Sequence, residues 1–356
     1  MAILLFIIFL VGLVLIHELG HLVVAKFFNI RVDEFNIGFG PRLFSVLVGE
    51  TRYGFRPLLL GGYVSIDEEG MTLKPRLAQA AVAVAGVVVN MLAAWLLVSA
   101  GYMAGLPTAV DHQGVGVVTN ARPMIVSVLP GSPAEKAGLV AGDVVESIQT
   151  GTSLFDARTL NTDRQADGVR AFIGQHADES LVITVLREGQ DKTFLTKAAD
   201  GFVEGRKAIG IGLDDVGVLK LSPPLALWQG ALLAKNIFVQ TAAGLGSFAY
   251  SLVRGHANLA QVSGPIGIVT MGGVAVKDGF AQVIVMVASI SMALALFNLI
   301  PIPGLDGGRL LILAIEGIIR RPVPQKLVLW LTLAGMALLI LLMIVVSYHD
   351  IAKLVG

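Results

Sequence analysis

Two histidines and a glutamate near the N-terminus are the residues best suited to chemistry. His17, Glu18 and His21 form the pattern H-E-x-x-H, which is typical of zinc peptidases. On a helix, residues four apart differ by about 40° in direction and about 6 Å along the axis, so both imidazoles can reach one metal ion. Glu18 points to a neighbouring part of the helix surface. Bound zinc lowers the pKa of a water molecule to about 7, and Glu18 could take its proton.

This pattern lies at the end of an apolar stretch of membrane length. Residues 1–16 contain no charged side chain. We expect a retained membrane helix rather than a cleaved signal peptide, because the stretch lacks a basic start and a small-residue cleavage site. The alternative is a chance match with packed histidines, which would leave polar groups idle in the membrane at a cost of several kcal/mol. The setting therefore favours a metal site at membrane depth.

The composition indicates a membrane protein with several spans. Hydrophobic residues make up 55% of the chain and charged residues 15%, and the mean hydropathy is +0.77. These values are typical of a chain whose main partner is the lipid bilayer. The formal net charge is zero, and no long basic tract is present, so nucleic acid is not an expected partner. The absence of cysteine excludes disulfides and thiol catalysis.

Hydropathy predicts four transmembrane helices. They cover approximately residues 2–28, 77–105, 283–300 and 327–347. Residues 225–252 are also long enough to span, but polar side chains such as Lys235 interrupt them, and we expect this helix on the outer membrane interface. Asn90 is a lone amide in the second span, where it either lines the active site or ties two helices together.

The distribution of Lys and Arg predicts the orientation of these spans. Residues 26–76 contain seven of them, and others lie between the last two spans. Short loops rich in Lys and Arg stay in the cytoplasm. Both regions should therefore face the cytoplasm, and the segment between the second and third spans should face outward. A crossing by residues 225–252 would place the last basic loop outside, so four spans fit better than five.

The chain is expected to divide into four regions. Residues 1–105 form an N-terminal membrane core with the H-E-x-x-H helix, a short β region and the second span. Residues 115–213 form a compact α+β module, because their apolar runs are short and separated by Gly and Pro turns. Residues 214–280 form an interfacial helical region, and residues 281–356 form a C-terminal membrane core.

Asp306 is the candidate third metal ligand. It follows a span that is broken by Pro301 and Pro303. His17 lies about 21 Å down a hydrocarbon core of about 30 Å, and Asp306 also falls toward the cytoplasmic side, so Asp306 can meet His17 and His21 there. Two histidines and one carboxylate leave the fourth zinc position open, as a catalytic site requires.

Together these features resemble the site-2 protease family of intramembrane metalloproteases, within its bacterial RseP-like branch. The resemblance covers nearly the whole chain. It implies a multi-spanning α-helical membrane protein with a membrane-associated β-hairpin or sheet and an inserted PDZ-like domain. The matching elements are residues 17–21, the Gly-Gly-Tyr-Val strand at 61–64, the PDZ-like stretch at 125–143, the Ser-Gly-Pro-Ile-Gly-Ile sequence at 263–268, and Asn298 followed by Pro-x-Pro-x-Leu-Asp-Gly at 301–307.

The resemblance also implies roles for individual residues. Zn²⁺ would be held by His17, His21 and Asp306, with Glu18 as the general base. Asn298 would position or polarise the substrate peptide. An unwound substrate segment would pair with the strand formed by Gly61, Gly62, Tyr63 and Val64.

Two positions depart from the pattern of the family. Relatives often have Gly-Pro where this chain has Gly86 and Val87, and often a second Asn where Ala293 stands. The role of the second span is therefore open.

The expected function is an intramembrane zinc endopeptidase of the bacterial cytoplasmic (inner) membrane. It would cleave transmembrane segments of single-pass proteins, such as a membrane-bound anti-sigma factor or a remnant signal peptide. The PDZ-like domain, on the outer side, would exclude substrates with bulky outer domains or bind exposed C-termini. The alternative is a non-catalytic membrane chaperone or PDZ scaffold, which would have no need of Glu18 or Asp306.

Overall fold

The computed structural model describes residues 2–159, 164–187, 189–203, 206–255 and 264–355. It contains two compact units, one formed by Met1–Ser99 with Gly230–Gly356 and the other by Ala100–Gln229. Ser263, the first residue of one element of the family resemblance, lies outside the described residues.

Helices and strands of the described residues are numbered in chain order. The helices are α1 (Ala2–Phe27), α2 (Glu68–Thr72), α3 (Arg76–Ala104), α4 (Pro133–Ala137), α5 (Gln165–Gln175), α6 (Pro223–Val253), α7 (Pro265–Asp278), α8 (Phe280–Leu299), α9 (Asp306–Ile319) and α10 (Gln325–Val355). The strands are β1 (Val32–Phe39), β2 (Phe44–Val48), β3 (Thr51–Phe55), β4 (Leu58–Ile66), β5 (Leu106–Ala109), β6 (Thr119–Val128), β7 (Val144–Gln149), β8 (Leu154–Asp156), β9 (Ser180–Arg187), β10 (Gln190–Lys197), β11 (Ala199–Val203), β12 (Arg206–Ala208) and β13 (Ile211–Leu219). A short 3₁₀ helix covers Ala157–Thr159.

Four helices of the described residues are long and apolar enough to cross a membrane. They are α1, α3, α8 and α10, and they coincide with the four segments that hydropathy predicts as spans. The helix α6 is not one of these four. It packs along α3 and α8, where Ala234 is buried together with Ala94 and Ala288. Its predicted place on the outer interface stays a prediction.

A four-stranded sheet lies between α1 and α3 in the sequence, as predicted. Its strand order is β2-β3-β1-β4, with β1 parallel to β3 and antiparallel to β4. This order makes β4 an edge strand, so one of its two sides has no partner strand among the described residues. Two glycines let β4 approach α1 closely. A Cβ at Gly62 would lie 3.1 Å from Leu15, and one at Gly61 would lie 3.4 Å from Val14.

A compact turn joins α8 to α9 and places Asp306. The helix α8 ends at Leu299, because Pro301 and Pro303 cannot continue its hydrogen bonds. Asp306 is the first residue of α9. The two glycines that follow it permit this tight path, since a Cβ at Gly307 or Gly308 would collide with the preceding backbone carbonyls.

The second unit is built on a sheet of order β10-β9-β7-β6-β13-β5, with β8 paired to β7. The predicted runs at 125–128, 144–148 and 181–185 all lie in strands. The predicted turn and short helix are also present: Ser132 caps the N-terminus of α4, and Gly138 ends it with φ = 91°. The sheet extends beyond the predicted limits of 115–213, because residues 216–219 of β13 pair with β5. The likeness of this unit to a PDZ domain stays a prediction.

Candidate active site

His17 and His21 lie one turn apart in the C-terminal half of the long helix α1. Both residues are buried, each with a relative exposure of 6%. Their Nε2 atoms are 3.3 Å apart. The four-residue spacing therefore brings the two imidazoles to one point, as the pattern predicts.

Asp306 completes the cluster from the start of α9. Its Oδ2 lies 3.2 Å from Nε2 of His17 and 3.3 Å from Nε2 of His21. A tetrahedral zinc site with bonds of about 2.0–2.1 Å has its ligand atoms about 3.3–3.4 Å apart. The three edges of the observed triangle match this spacing. Within the described residues, each of these three side chains offers one ligand atom, and the three atoms all lie within 4.8 Å of one another.

The environment of Asp306 Oδ2 is a second sign that the cluster fits a metal ion. This oxygen is buried and makes no well-formed hydrogen bond with any residue in the described part of the chain. Its close neighbours are the Nε2 atoms of His17 and His21. Burial of a carboxylate oxygen without a partner is costly, and a cation at the centre of the triangle would remove that cost.

The other ring nitrogen of His21 settles its tautomer. Nδ1 of His21 lies 2.7 Å from the backbone carbonyl of Val82 in α3. A carbonyl only accepts hydrogen bonds, so Nδ1 carries the hydrogen and the lone pair is on Nε2. This is the form that binds a metal through Nε2, oriented by a second partner as in other histidine sites.

Asn90 in α3 contacts the other histidine. Its Nδ2 lies 3.2 Å from Nδ1 of His17, and its backbone carbonyl accepts a hydrogen bond of 2.8 Å from Ser291 of α8. The sequence left two roles open for Asn90, and the structure gives it both: its side chain borders the cluster, and its backbone ties α3 to α8.

Gly86 of α3 lies against both imidazoles, a position that residue types and spacing alone do not reveal. A Cβ at this position would lie 2.5 Å from Cε1 of His17 and 2.5 Å from Nε2 of His21. The backbone of α3 therefore passes directly over the imidazoles. On the other side of this contact, a Cβ at Gly20 of α1 would lie 2.8 Å from the carbonyl of Ala85. The signal in the sequence is a glycine among the larger side chains of the second span, which indicates a close approach of another group to the helix backbone.

Glu18 stands beside the cluster and outside it. Its Oε2 accepts a hydrogen bond of 3.0 Å from the backbone N–H of Val64 in the edge strand β4. A general base needs this position, next to the metal ligands and free of the metal itself. Val64 is thus linked to the site through its backbone, whatever its side chain does.

Tyr63 uses its side chain within the sheet. Its hydroxyl donates a hydrogen bond of 3.1 Å to Glu34, which also accepts from Asn36. Burial raises the pKa of the Glu34 carboxyl, but hydrogen bonds from Asn36 and Tyr63 and the charges of Arg42 and Arg56 lower it overall. The side chain of Tyr63 therefore stabilises the sheet, and a direct role toward substrate stays a prediction.

A cavity of about 250 Å³ opens over the cluster. Its walls include the two histidines, Glu18, Val64, Asp306 and Asn298. The Nδ2 of Asn298 donates to the carbonyl of Leu294 in its own helix, at 3.0 Å. The structure therefore brings Asn298 to the cavity together with the four residues predicted for the chemistry.

The fold and this site together are those of a metalloprotease, and comparison with known proteins agrees. The family model described as peptidase family M50 matches residues 5–342. A protein of Clostridium perfringens is 32% identical over 349 residues, which cover 96% of this chain and 95% of that protein. A protein of Synechocystis is 32% identical over 362 residues, covering 96% and 92%, and one of Nostoc is 31% identical over 349 residues, covering 92% and 90%.

All three relatives carry the name "Putative zinc metalloprotease". The chain belongs to peptidase family M50, the site-2 protease family, and is a zinc metalloprotease.

Proposed function

We propose that this enzyme is an endopeptidase that cleaves transmembrane segments of single-pass membrane proteins. The observation that carries the proposal is the position of the His17–His21–Asp306 triangle. Two of its members lie in the C-terminal half of α1, a helix long and apolar enough to span a membrane. Peptide bonds that reach this site are therefore within the bilayer.

The donor set of the triangle fits zinc. When bound, zinc polarises the scissile carbonyl and acidifies a water molecule. Glu18 takes the proton of the attacking water and can later give it to the leaving amine. Val64 holds the Glu18 carboxylate from the other side through its N–H. Asn298, which lines the same cavity, offers an amide to the substrate backbone.

The edge strand β4 supports a way of holding the substrate. A transmembrane helix hides its carbonyls in its own hydrogen bonds, so it must unwind before it can be cut. An edge strand can bind an extended peptide through free backbone groups. The N–H of Val64 points at Glu18, so the free side of β4 faces the active site. A substrate strand paired with residues 61–64 would pass directly beside the general base.

The proposed location is the cytoplasmic membrane of a bacterium, with the second unit outside. Support comes from the seven Lys and Arg of residues 26–76 and from the bacterial relatives. Release of a regulator by cleavage of a membrane-bound anti-sigma factor and removal of remnant signal peptides both fit such a site.

Cleavage in reconstituted vesicles tests the proposal. Purified enzyme is mixed with several single-pass proteins whose transmembrane segments differ in helix stability, and products are mapped by mass spectrometry. We expect cuts inside the apolar segment, faster where Gly or Pro weakens the helix, and none in the His21→Ala variant. Binding without cleavage by zinc-loaded wild-type enzyme would favour a scaffold, and cuts only in soluble loops would refute the membrane substrate.

A further inference from the structure

The side chain of Asn90 lies where the ring of His17 needs a hydrogen-bond acceptor. If His17 binds zinc through Nε2, as proposed above, its neutral ring carries the hydrogen on Nδ1. The Nδ1 hydrogen of His21 has such an acceptor, the carbonyl of Val82, at 2.7 Å. His17 has the amide of Asn90 at the corresponding place, 3.2 Å from Nδ1.

The amide of Asn90 is placed with its NH₂ group toward His17. In that orientation, the contact requires His17 Nδ1 to be an acceptor, and the hydrogen of the ring would lie on Nε2, where the metal must bind. The amide oxygen Oδ1 is meanwhile buried and has no hydrogen-bond partner among the described residues. Asn90 itself is completely buried, with 0% exposure, so bulk water does not supply that partner.

One rotation of the amide changes both contacts. The two ends of an asparagine amide have nearly the same shape, and only their hydrogen bonds decide between the orientations. A half-turn about the last side-chain bond exchanges the two ends: Oδ1 takes the position now held by Nδ2, and Nδ2 takes the position of Oδ1, where no partner is present among the described residues. Oδ1 then accepts from Nδ1–H of His17, and the lone pair of Nε2 is free.

We propose that Asn90 is a positioning residue of the metal site, and that in the zinc-loaded enzyme its Oδ1 accepts the Nδ1 hydrogen of His17. Asn90 thereby fixes the tautomer and the direction of the His17 ring, as the carbonyl of Val82 does for His21. The helix α3 thus supplies the outer partner of both histidine ligands, from residues 82 and 90, on either side of Gly86.

The surroundings of Asn90 keep this partner in place. Ser291 of α8 donates a hydrogen bond of 2.8 Å to its backbone carbonyl. That bond holds α3 against α8 and does not involve the amide. If residue 90 only tied the two helices together, its backbone carbonyl would be sufficient. Any side chain of similar size could then replace the amide.

Three variants separate these roles by zinc affinity, measured on the purified full chain by competition with a chromophoric chelator. Asn90→Asp keeps the shape and the acceptor and removes the donor. Asn90→Leu keeps a similar volume and removes both. Ser291→Ala removes the tie between α3 and α8 and leaves the amide in place.

We expect Asn90→Leu to bind zinc about 10- to 100-fold more weakly, as is typical when an outer partner of a histidine ligand is lost. Asn90→Asp should bind at least as tightly as the wild type, and Ser291→Ala should stay within about threefold of it. The absorption bands of the cobalt-substituted protein should be kept in Asn90→Asp and shifted in Asn90→Leu.

A tenfold loss of affinity in Asn90→Asp would overturn the proposal, because a carboxylate is the stronger acceptor. Asp has the same shape as Asn, so the zinc affinity of Asn90→Asp can be measured even if Asn90→Leu fails to fold. His17→Ala serves as the reference for the ligand itself. If His17→Ala keeps its zinc, the proposed ligand set is wrong; if it loses zinc while Asn90→Leu keeps it, only the role of Asn90 is wrong.

Discussion

The backbone N–H of Val64 donates a hydrogen bond of 3.0 Å to Oε2 of Glu18. This bond joins the edge strand β4 to the general base proposed for hydrolysis. The glycines at positions 61 and 62 allow it, because they let β4 lie against α1 near Leu15, one turn before Glu18. The strand proposed to hold the substrate therefore also holds the group that activates water.

Loss of this N–H should slow hydrolysis. Val64→Pro removes the donor, and the ladder to β1 is kept because this N–H points away from it. This bond positions the Glu18 carboxylate, and a misplaced base slows the proton transfer, so we expect kcat to fall by about tenfold or more. Val64→Ala keeps the N–H and should stay near the wild-type rate. Equal rates for the two variants, with equal zinc content, would exclude this role of Val64.

Gly86 should be required for metal binding. The Cβ in Gly86→Ala would lie 2.5 Å from atoms of both imidazoles, so the rings must move out of the ligand geometry. We expect the zinc content to fall from about one ion per chain to well below one. Gly12→Ala is the matched control in α1, because a Cβ at Gly12 meets nothing within 4 Å. Full zinc occupancy in Gly86→Ala would show that the site tolerates the side chain.

Single cysteines test the orientation of the spans against a background without native cysteine. The proposed topology places Glu69 and Arg321 in the cytoplasm and Thr152 outside. In intact cells, an impermeant thiol reagent should label Thr152→Cys and leave Glu69→Cys and Arg321→Cys unlabelled until the membrane is opened. Labelling of Arg321→Cys from outside would refute four spans with a cytoplasmic loop before α10.

Deletion of the second unit tests whether it restricts access to the enzyme. The deletion must cover residues 106–219, because β5 and β13 belong to one sheet, and a short Gly/Ser linker joins the ends. Exclusion by size predicts that the shortened enzyme cuts substrates with intact outer domains and still cuts trimmed ones. Slower cutting of trimmed substrates, with intact ones still refused, would indicate binding of substrate tails.

Much of the catalytic centre could be predicted from the sequence. The four-residue spacing of His17 and His21 fixes their common direction on any helix. Asp306 follows a span of membrane length and so falls at the level of His17, and the structure places its Oδ2 within 3.3 Å of Nε2 of both histidines. These inferences succeeded because they depend on regular helix geometry and on the width of a bilayer.

Other parts could not be predicted because they depend on contacts between distant segments. The bond from Val64 to Glu18 uses a backbone N–H, which no residue type reveals. Gly86 and Asn90 acquire their roles only when α3 packs over the imidazoles. The sheet of the second unit includes β5, a short strand that becomes recognisable only through its pairing with β13.

The central claim is that His17, His21 and Asp306 hold zinc while Glu18 moves the proton. Zinc content and cleavage of one transmembrane substrate, measured together in vesicles for Glu18→Gln, test it most directly. The amide cannot accept a proton, so we expect zinc content equal to that of the wild type and a rate at least about 100-fold lower. Cleavage within about tenfold of the wild-type rate would contradict Glu18 as the base, and loss of zinc would contradict its place outside the ligand set.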